Sequence, residues 1–201
     1  MNAFEKAVEN YLGKENLEKI QAVCVGIAGA GGIGSNCAMN LVRTGFKKLV
    51  IADFDRVEMS NLNRQFFFLD QLGAYKVDAL KENLLKINPD IKIKSHVIRI
   101  DESNIGGLFQ ECDVLVEAFD NPACKAMILE YGARENKFLT MASGIGGYGS
   151  SDEICVRRLG GSAIVGDGRT SVDEVHPPLS PRVNLTAAKQ ADELLAHVLQ
   201  R

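Results

Sequence analysis

Four polar residues carry the first chemical signal. In SNLNRQFFF, residues 60–68, Asn61, Arg64 and Gln65 fall close together, and Lys76 follows at the head of a helical repeat. Arg64 offers a planar fork of donors suited to phosphate oxygens, Asn61 and Gln65 add neutral donors, and Lys76 is expected as a mobile point charge. A polar surface loop can have the same composition. The run FFFL (66–69) argues against that reading, because its aromatics should anchor the loop on an apolar surface and hold the polar part in place.

Upstream, GAGGIG (29–34) sets Gly29, Gly31 and Gly34 at G-x-G-x-x-G spacing, with Gly32 inside the turn. The motif follows an apolar run and opens a helix, so bare amides and a helix N-terminus are available for phosphate. Asp53 lies about 20 residues further on, at the end of the next strand, where a carboxylate accepts from ribose hydroxyls. The glycines alone leave NAD, FAD and ATP open. The loop at 60–68 moves the expectation to ATP, since a triphosphate needs more cations and donors than one glycine loop supplies. In EAFDNP (117–122), Asp120 falls at the carboxyl edge of a strand, where it reads equally as a Mg²⁺ ligand on the phosphates and as a helix N-cap. Asn121 and Pro122 read as a turn and a helix start.

The elements that must position these residues alternate along the chain. AVCVGIAG (22–29), KLVIADFD (48–55), DVLVEAF (113–119) and KFLTMAS (137–143) are apolar runs of strands covered on both faces. IKIKSHVI (91–98) alternates like a strand with one wet face. Helices are predicted over 33–44, closed by Gly45, over about 77–87, stopping before Pro89, and from Pro122 to Arg134. This order implies a Rossmann-like, doubly wound, mostly parallel α/β sheet, with its ligand at the carboxyl ends of the strands. EICVRRLG and SAIVG read as a short antiparallel extension. Residues 150–181 are expected to leave the domain as an excursion with a mobile loop around His176 to Pro181. A C-terminal helix with Val183, Ala187, Ala191, Leu194 and Val198 on one face then returns to the domain. Residues 1–20 form an N-terminal helical segment, and the whole of 1–201 is read as one domain.

A chain of 201 residues, 46% hydrophobic, can bury one full core. The net charge of −3 gives no basic footprint, so nucleic acid is not an expected partner. No apolar stretch approaches a membrane span and the N-terminus is too charged for a signal peptide, so the expected location is cytoplasmic. The five cysteines contain no C-x-x-C pair, which argues for reduced thiols and against structural zinc.

The segments GIAGAGGIGSN, VIADFDRVEMSNLNRQ, GAYK, VEAFDN and PRVNLTAAKQA together resemble the ThiF/MoeB/HesA family, relatives of the ubiquitin-activating enzymes. The resemblance runs over nearly the whole chain from about Gln21. With SGIGGYGSS and the compact length, it is most similar to the short form of ThiF. It implies ATP-dependent adenylation of the C-terminal Gly-Gly carboxylate of a small ubiquitin-like sulfur carrier protein, in thiamine biosynthesis. Asp53 would hold the ribose, Asn61, Arg64, Gln65 and Lys76 would surround the phosphates, and Asp120 would bind Mg²⁺, with Asp55 a weaker candidate. The resemblance also implies a homodimer. Some homodimeric members supply an N-terminal arginine to the partner's site, whereas here the first arginine is Arg43: either Lys14 or Lys19 substitutes, the role is filled from elsewhere, or catalysis is weakened.

The chemistry agrees with these residue types. A carboxylate nucleophile is ionised at neutral pH and needs no general base, so positioning and positive charge are the main requirements. His96, His176 and His197 are accordingly read as strand, loop and surface-helix residues. Cys155 is read as a small buried hydrophobe, and no cysteine is assigned a sulfur-relay role. SGIGGYG (143–149) fits either a narrow passage for a Gly-Gly tail or a set of tight turns. The alternatives are a molybdopterin-type carrier or a modified tRNA base as substrate, a nicotinamide-dependent oxidoreductase, and a non-catalytic nucleotide-binding module.

Overall fold

The structure, a computed structural model, describes residues 1–200. Strands β1 (Cys24–Ala28), β2 (Lys48–Asp53), β3 (Lys92–Val97), β4 (Val114–Glu117) and β5 (Phe138–Ala142) alternate with helices α3 (Gly32–Thr44), α4 (Lys76–Ile87), α5 (Ile105–Phe109) and α6 (Pro122–Arg134). Helices α1 (Ala3–Leu12) and α2 (Lys14–Ala22) precede them, and β6 (Cys155–Leu159), β7 (Ser162–Gly166) and α7 (Ser180–Leu199) follow. The seven strands form one sheet in the order β3-β2-β1-β4-β5-β7-β6. Every pairing is parallel except β6 with β7.

The continuous apolar strands follow from helices on both faces. Val25, Ile27, Leu49, Ile51, Val114 and Val116 point into a core shared with Leu41 of α3, Leu80 of α4 and Leu194 of α7. Their alternates Val50, Ala52 and Leu115 point the other way, toward Phe109 of α5 and Ile128 and Tyr131 of α6. Each strand thus removes both faces from water, and the period-2 alternation of polarity vanishes. Edge strand β3 keeps its alternation because one face is wet. The one-turn α5 was not legible as a helix, being too short to show a period.

The antiparallel pair is present, but it is not an excursion from the domain. Strand β7 continues the parallel sheet beside β5, with Leu139 opposite Ser162 and Ala142 opposite Val165, and β6 forms the new edge. The chain passes β5's free edge, turns at Gly160 and Gly161, and comes back into register. Two short amphipathic strands cannot bury a face alone, and pairing with β5 supplies it. No helix among the described residues is long and apolar enough to cross a membrane.

Candidate functional site

The sheet's winding reverses between β1 and β4, and the glycine loop leaves β1 at that crevice, where an open α/β sheet binds its ligand. Gly29 adopts φ +100°. Gly34 packs so closely on the loop's start that a Cβ there would lie 1.9 Å from the Gly29 carbonyl oxygen. The N-cap of α3 is Gly31, whose side is open and which offers no side-chain cap. The first-turn amides therefore have no side-chain acceptor. Asp53 props the loop from below: one carboxylate oxygen accepts from the Ala30 amide at 2.6 Å and the other from the Asp55 amide at 2.8 Å.

The polar loop is pinned across that turn by two residues absent from the sequence assignment. Buried Asn36 donates through Nδ2 to the carbonyls of Gly32 and Arg64, both at 2.7 Å, and the Ser35 hydroxyl accepts from the Phe66 amide at 3.0 Å. Gln71 and Asn83 pair at 2.9 Å in the interior, and Asn83 also donates to the Phe66 carbonyl. Phe67 enters the core, Phe66 packs against it, and Phe68 and Leu69 stay exposed, so the aromatic anchor is mainly Phe67. Two polar residues next to a buried helical stripe were the only sequence sign of Ser35 and Asn36. Asn36→Ala removes both bonds and is expected to destabilise the fold by about 1–3 kcal/mol. The check is a lower urea midpoint at unchanged slope, with faster amide exchange at residues 64–67. An unchanged midpoint and unchanged exchange would mean that other contacts hold the loop.

The assigned residues divide into two groups. Gln65 is buried beside Gly31, and its Oε1 has no hydrogen-bond partner in the fold. Half-buried Arg64 stacks its stem over Gly32 and uses Nη1 on the Ser60 carbonyl and the Asn63 side chain. Its Nε and Nη2 have no protein acceptor among the described residues, and burial draws the guanidinium below its ordinary pKa. Asn61, by contrast, is turned into its own loop, accepting from the Glu58 amide at 3.1 Å. Lys76 is not a mobile charge: its side chain is 8% exposed and its ammonium pairs with Asp55 at 2.7 Å. That pairing also occupies the Asp55 carboxylate, the weaker of the two metal candidates. A helix-opening lysine looks exposed in sequence, but the loop from β2 folds over it.

Asp120 is exposed two residues past Ala118, which touches both Gly29 and Gly34. It is not the cap of α6; Asn121 is, accepting from the Ala123 amide at 2.8 Å. Beneath it, fully buried Glu117 pairs with Lys125 at 2.8 Å and accepts from the Phe119 amide. Burial raises the Glu117 carboxyl even against that pair. Among the described residues no three His, Cys, Asp or Glu side chains cluster to hold a metal.

Of the two readings of SGIGGYG, the structure gives close approach, but by the chain itself. Gly146 donates to the Thr170 carbonyl and Gly147 to that of Pro177, at 3.1 and 3.0 Å. A Cβ at Gly144 would lie 2.0 Å from the Asp167 carboxylate. The passage is filled by residues 167–178, which are clamped by a buried ion pair. Arg182 bonds Asp167 at 2.7 Å and the Gly149 carbonyl at 3.0 Å. Asn63 donates to the Pro178 carbonyl, tying this segment to the polar loop.

His96 lies in β3, His176 is exposed and bonded to Asp173, and His197 stacks on Phe138, so none enters the crevice. Cys155 is exposed, contrary to the expectation of a buried residue, because β6 is the sheet's edge. Lys14 and Lys19 pair with Glu18 and Glu15 on α2. That helix packs Leu17 and Ile20 against Gly45, at the end of α3 away from the glycine loop.

Residues 5–167 match the ThiF family. The chain is 32% identical over 173 residues to SUMO-activating enzyme subunit 2 of Dictyostelium discoideum, covering 85% of this chain and 24% of that protein. It is 32% identical over 183 residues to ubiquitin-like modifier-activating enzyme 5 of Xenopus laevis, covering 85% of this chain and 44% of that one. It thus spans less than half the length of either relative. In fold it is similar to the E. coli tRNA N6-threonylcarbamoyladenosine dehydratase TcdA in complex with ATP. The TM-score is 0.84 at 21% identity, over 97% of this chain and 91% of that one. E. coli MccB with ATP is also similar, with a TM-score of 0.76 at 23% identity over 100% and 64%.

Proposed function

Because the chain belongs to the ThiF family, matched from residue 5 to residue 167, we propose that it is an ATP-dependent adenylyltransferase. Its substrate is the C-terminal Gly-Gly carboxylate of a small ubiquitin-like sulfur carrier protein, in thiamine biosynthesis. In the reaction a carboxylate oxygen of the carrier bonds to the α-phosphorus of ATP while the bond to the pyrophosphate oxygen breaks, and pyrophosphate leaves.

The observation that carries this reading is the loop fixed across the first turn of α3. The buried Gln65 Oε1 lacks a partner, and Arg64 has two nitrogens without protein acceptors, beside uncapped helix amides. Buried polar atoms are normally satisfied, and turning the Gln65 amide toward the crevice would let a nucleotide or its bound water satisfy this one. Arg64 and the α3 amides would hold phosphate oxygens, and Asp53 the ribose. Lys76 would add positive charge to the same region on exchanging Asp55 for a phosphate oxygen. Asn61 would act by shaping the loop. Mg²⁺ is commonly held by one or two carboxylates together with phosphates and water, and Asp120, exposed and unpaired, would supply that carboxylate. The protein's part is charge and position, because the nucleophile arrives ionised.

The working unit is read as a homodimer. Lys14 and Lys19 lie at the far end of α3, so neither replaces in its own protomer an arginine supplied by a partner. Nicotinamide chemistry is disfavoured, since hydride transfer has no use for Arg64 over the phosphate turn. A tRNA base is the second reading, favoured by the near-complete overlap with TcdA and opposed by the net charge of −3.

The test is ATP–pyrophosphate exchange against purified Gly-Gly-ended carriers and tRNA. Exchange is expected with one carrier. Arg64→Ala should reduce it by about 10²–10³-fold, the scale for losing one charge-stabilising donor, with a urea midpoint near wild type. Exchange with tRNA alone, or binding of NADH without ATP, would overturn the reading. ATP binding with no adenylate from any carrier would select the nucleotide-binding module.

A further inference from the structure

Far from the candidate site, where β1 and β4 begin, two thiols meet. The Sγ atoms of Cys24 and Cys112 are 3.9 Å apart, across 88 residues of sequence. The backbones that carry them are fixed side by side: the Asp113 amide donates to the Cys24 carbonyl at 2.9 Å, and the Cys24 amide to the Asp113 carboxylate at 2.8 Å. Neighbouring strands lie about 4.8 Å apart. Cys24 stands opposite Asp113, so Cys112 lies one residue along across the same strand gap, and its sulfur, already 3.9 Å away, has to close to the roughly 2.0 Å of a disulfide bond. The two cysteines also differ in access. Cys112 is 2% exposed, whereas partly exposed Cys24 lines a surface recess of about 570 Å³ shared with Lys48, Lys94, Glu111 and Asp113.

We propose that Cys24 and Cys112 are a redox modification site, a dithiol that small-molecule disulfides oxidise to an intrachain disulfide. Access assigns the roles. Cys24 attacks: its thiolate bonds to one sulfur of the reagent, the reagent's S–S bond breaks, and one thiol leaves with a proton from solvent. Cys112 resolves: it gives its proton to water and bonds to the Cys24 sulfur, and the second reagent thiol leaves. Two protein thiols are oxidised and one reagent disulfide is reduced. The electrostatics match Cys24 as the first attacker. Contact with Cys112 draws the Cys24 thiol down, against burial and against Glu111 and Asp113, with help from Lys48. The Cys112 thiol is pushed up by the same contact and by burial. Cys37 is buried alone, and Cys155 is exposed with only a backbone carbonyl beside it, so neither has a resolving partner. The inference does not depend on the adenylation reading.

The test uses the native full chain with oxidised glutathione, blocking of residual thiols with N-ethylmaleimide, and peptide mass spectrometry. A Cys24–Cys112 linked peptide is expected that dithiothreitol reverses, while Cys155 carries a glutathione adduct. Cys155→Ser should retain the link. Cys24→Ser should abolish it, leaving Cys112 modified only after denaturation. A stable glutathione adduct on Cys24 with Cys112 free, or a link that forms only in denaturant, would overturn the proposal.

Discussion

Gly34→Ala is expected to disable the glycine loop and to lower stability by about 3 kcal/mol, at the upper end of the range for overpacked sites. Its new Cβ would sit 1.9 Å from the Gly29 oxygen and 3.2 Å from the Ala118 Cβ. The oxygen cannot swing away cheaply, because the Gly29 amide is bonded to the Ala52 carbonyl at 2.9 Å and its other side meets Ala118. The loop must open or α3 must move. Gly31→Ala is the informative contrast. Its Cβ meets nothing nearer than the Gln65 Nε2 at 3.9 Å, and its backbone φ of −77° suits any residue. That variant should keep a wild-type urea midpoint yet lose ATP affinity, because the methyl group occupies the open side of the turn. If Gly34→Ala unfolds like wild type and binds ATP by calorimetry, the packing account is wrong.

Arg182→Ala should cost about 3–5 kcal/mol, the scale for leaving a buried partner charge uncompensated. The side chains of Arg182 and Asp167 are only 6% and 2% exposed. Burial alone would raise the Asp167 carboxyl. The Thr170 hydroxyl and amide, the Arg169 amide and Arg182 outweigh burial and hold it well below the ordinary carboxylate range. A carboxyl depressed on folding contributes stability that is present above its unfolded pKa of about 3.9 and is lost as pH falls through the lower folded value. The wild type should therefore keep this contribution through mild acid and lose it only in strong acid. In Arg182→Ala the loss should begin at higher pH, which urea titrations across the acid range will read. A double variant, Asp167→Asn with Arg182→Met, should recover part of the lost stability, because it removes the stranded charge. Pyrophosphate exchange should fall in Arg182→Ala as well, since the clamp reaches the polar loop through Asn63 and Pro178. Equal stability of single variant and wild type would remove the clamp from the account.

How much of this was legible depended on how local each signal was. The strand–turn–helix units around residues 24–53 and 114–142 were readable because apolar runs, glycine turns and helical stripes are set by neighbours in sequence. Sequence also identified Arg64 and Gln65 beside a phosphate-type turn, and those two do meet the glycine loop. It misjudged Lys76 because nothing near position 76 announces that Asp55 will fold over it. It found the antiparallel pair within residues 150–181 but not that the pair joins the main sheet, for a similar reason. The antiparallel pairing of β6 with β7 is a hairpin property, but joining β5 depends on an edge contributed by another part of the chain.

By itself, then, the sequence determined the class of fold, the turn that faces the crevice and the polar residues grouped beside it, all of which follow from short-range periodicity and turn chemistry. Only the tertiary structure decided which of those residues are free and which are spent. Asn61 and Asp55 are engaged within the protein, Gln65 is left unsatisfied, and Asn36, Asp167 and Arg182 prove to be the parts that hold the site. The physical reason is that burial and pairing depend on which distant segments are brought together, and a buried polar group takes whichever partner the packing supplies.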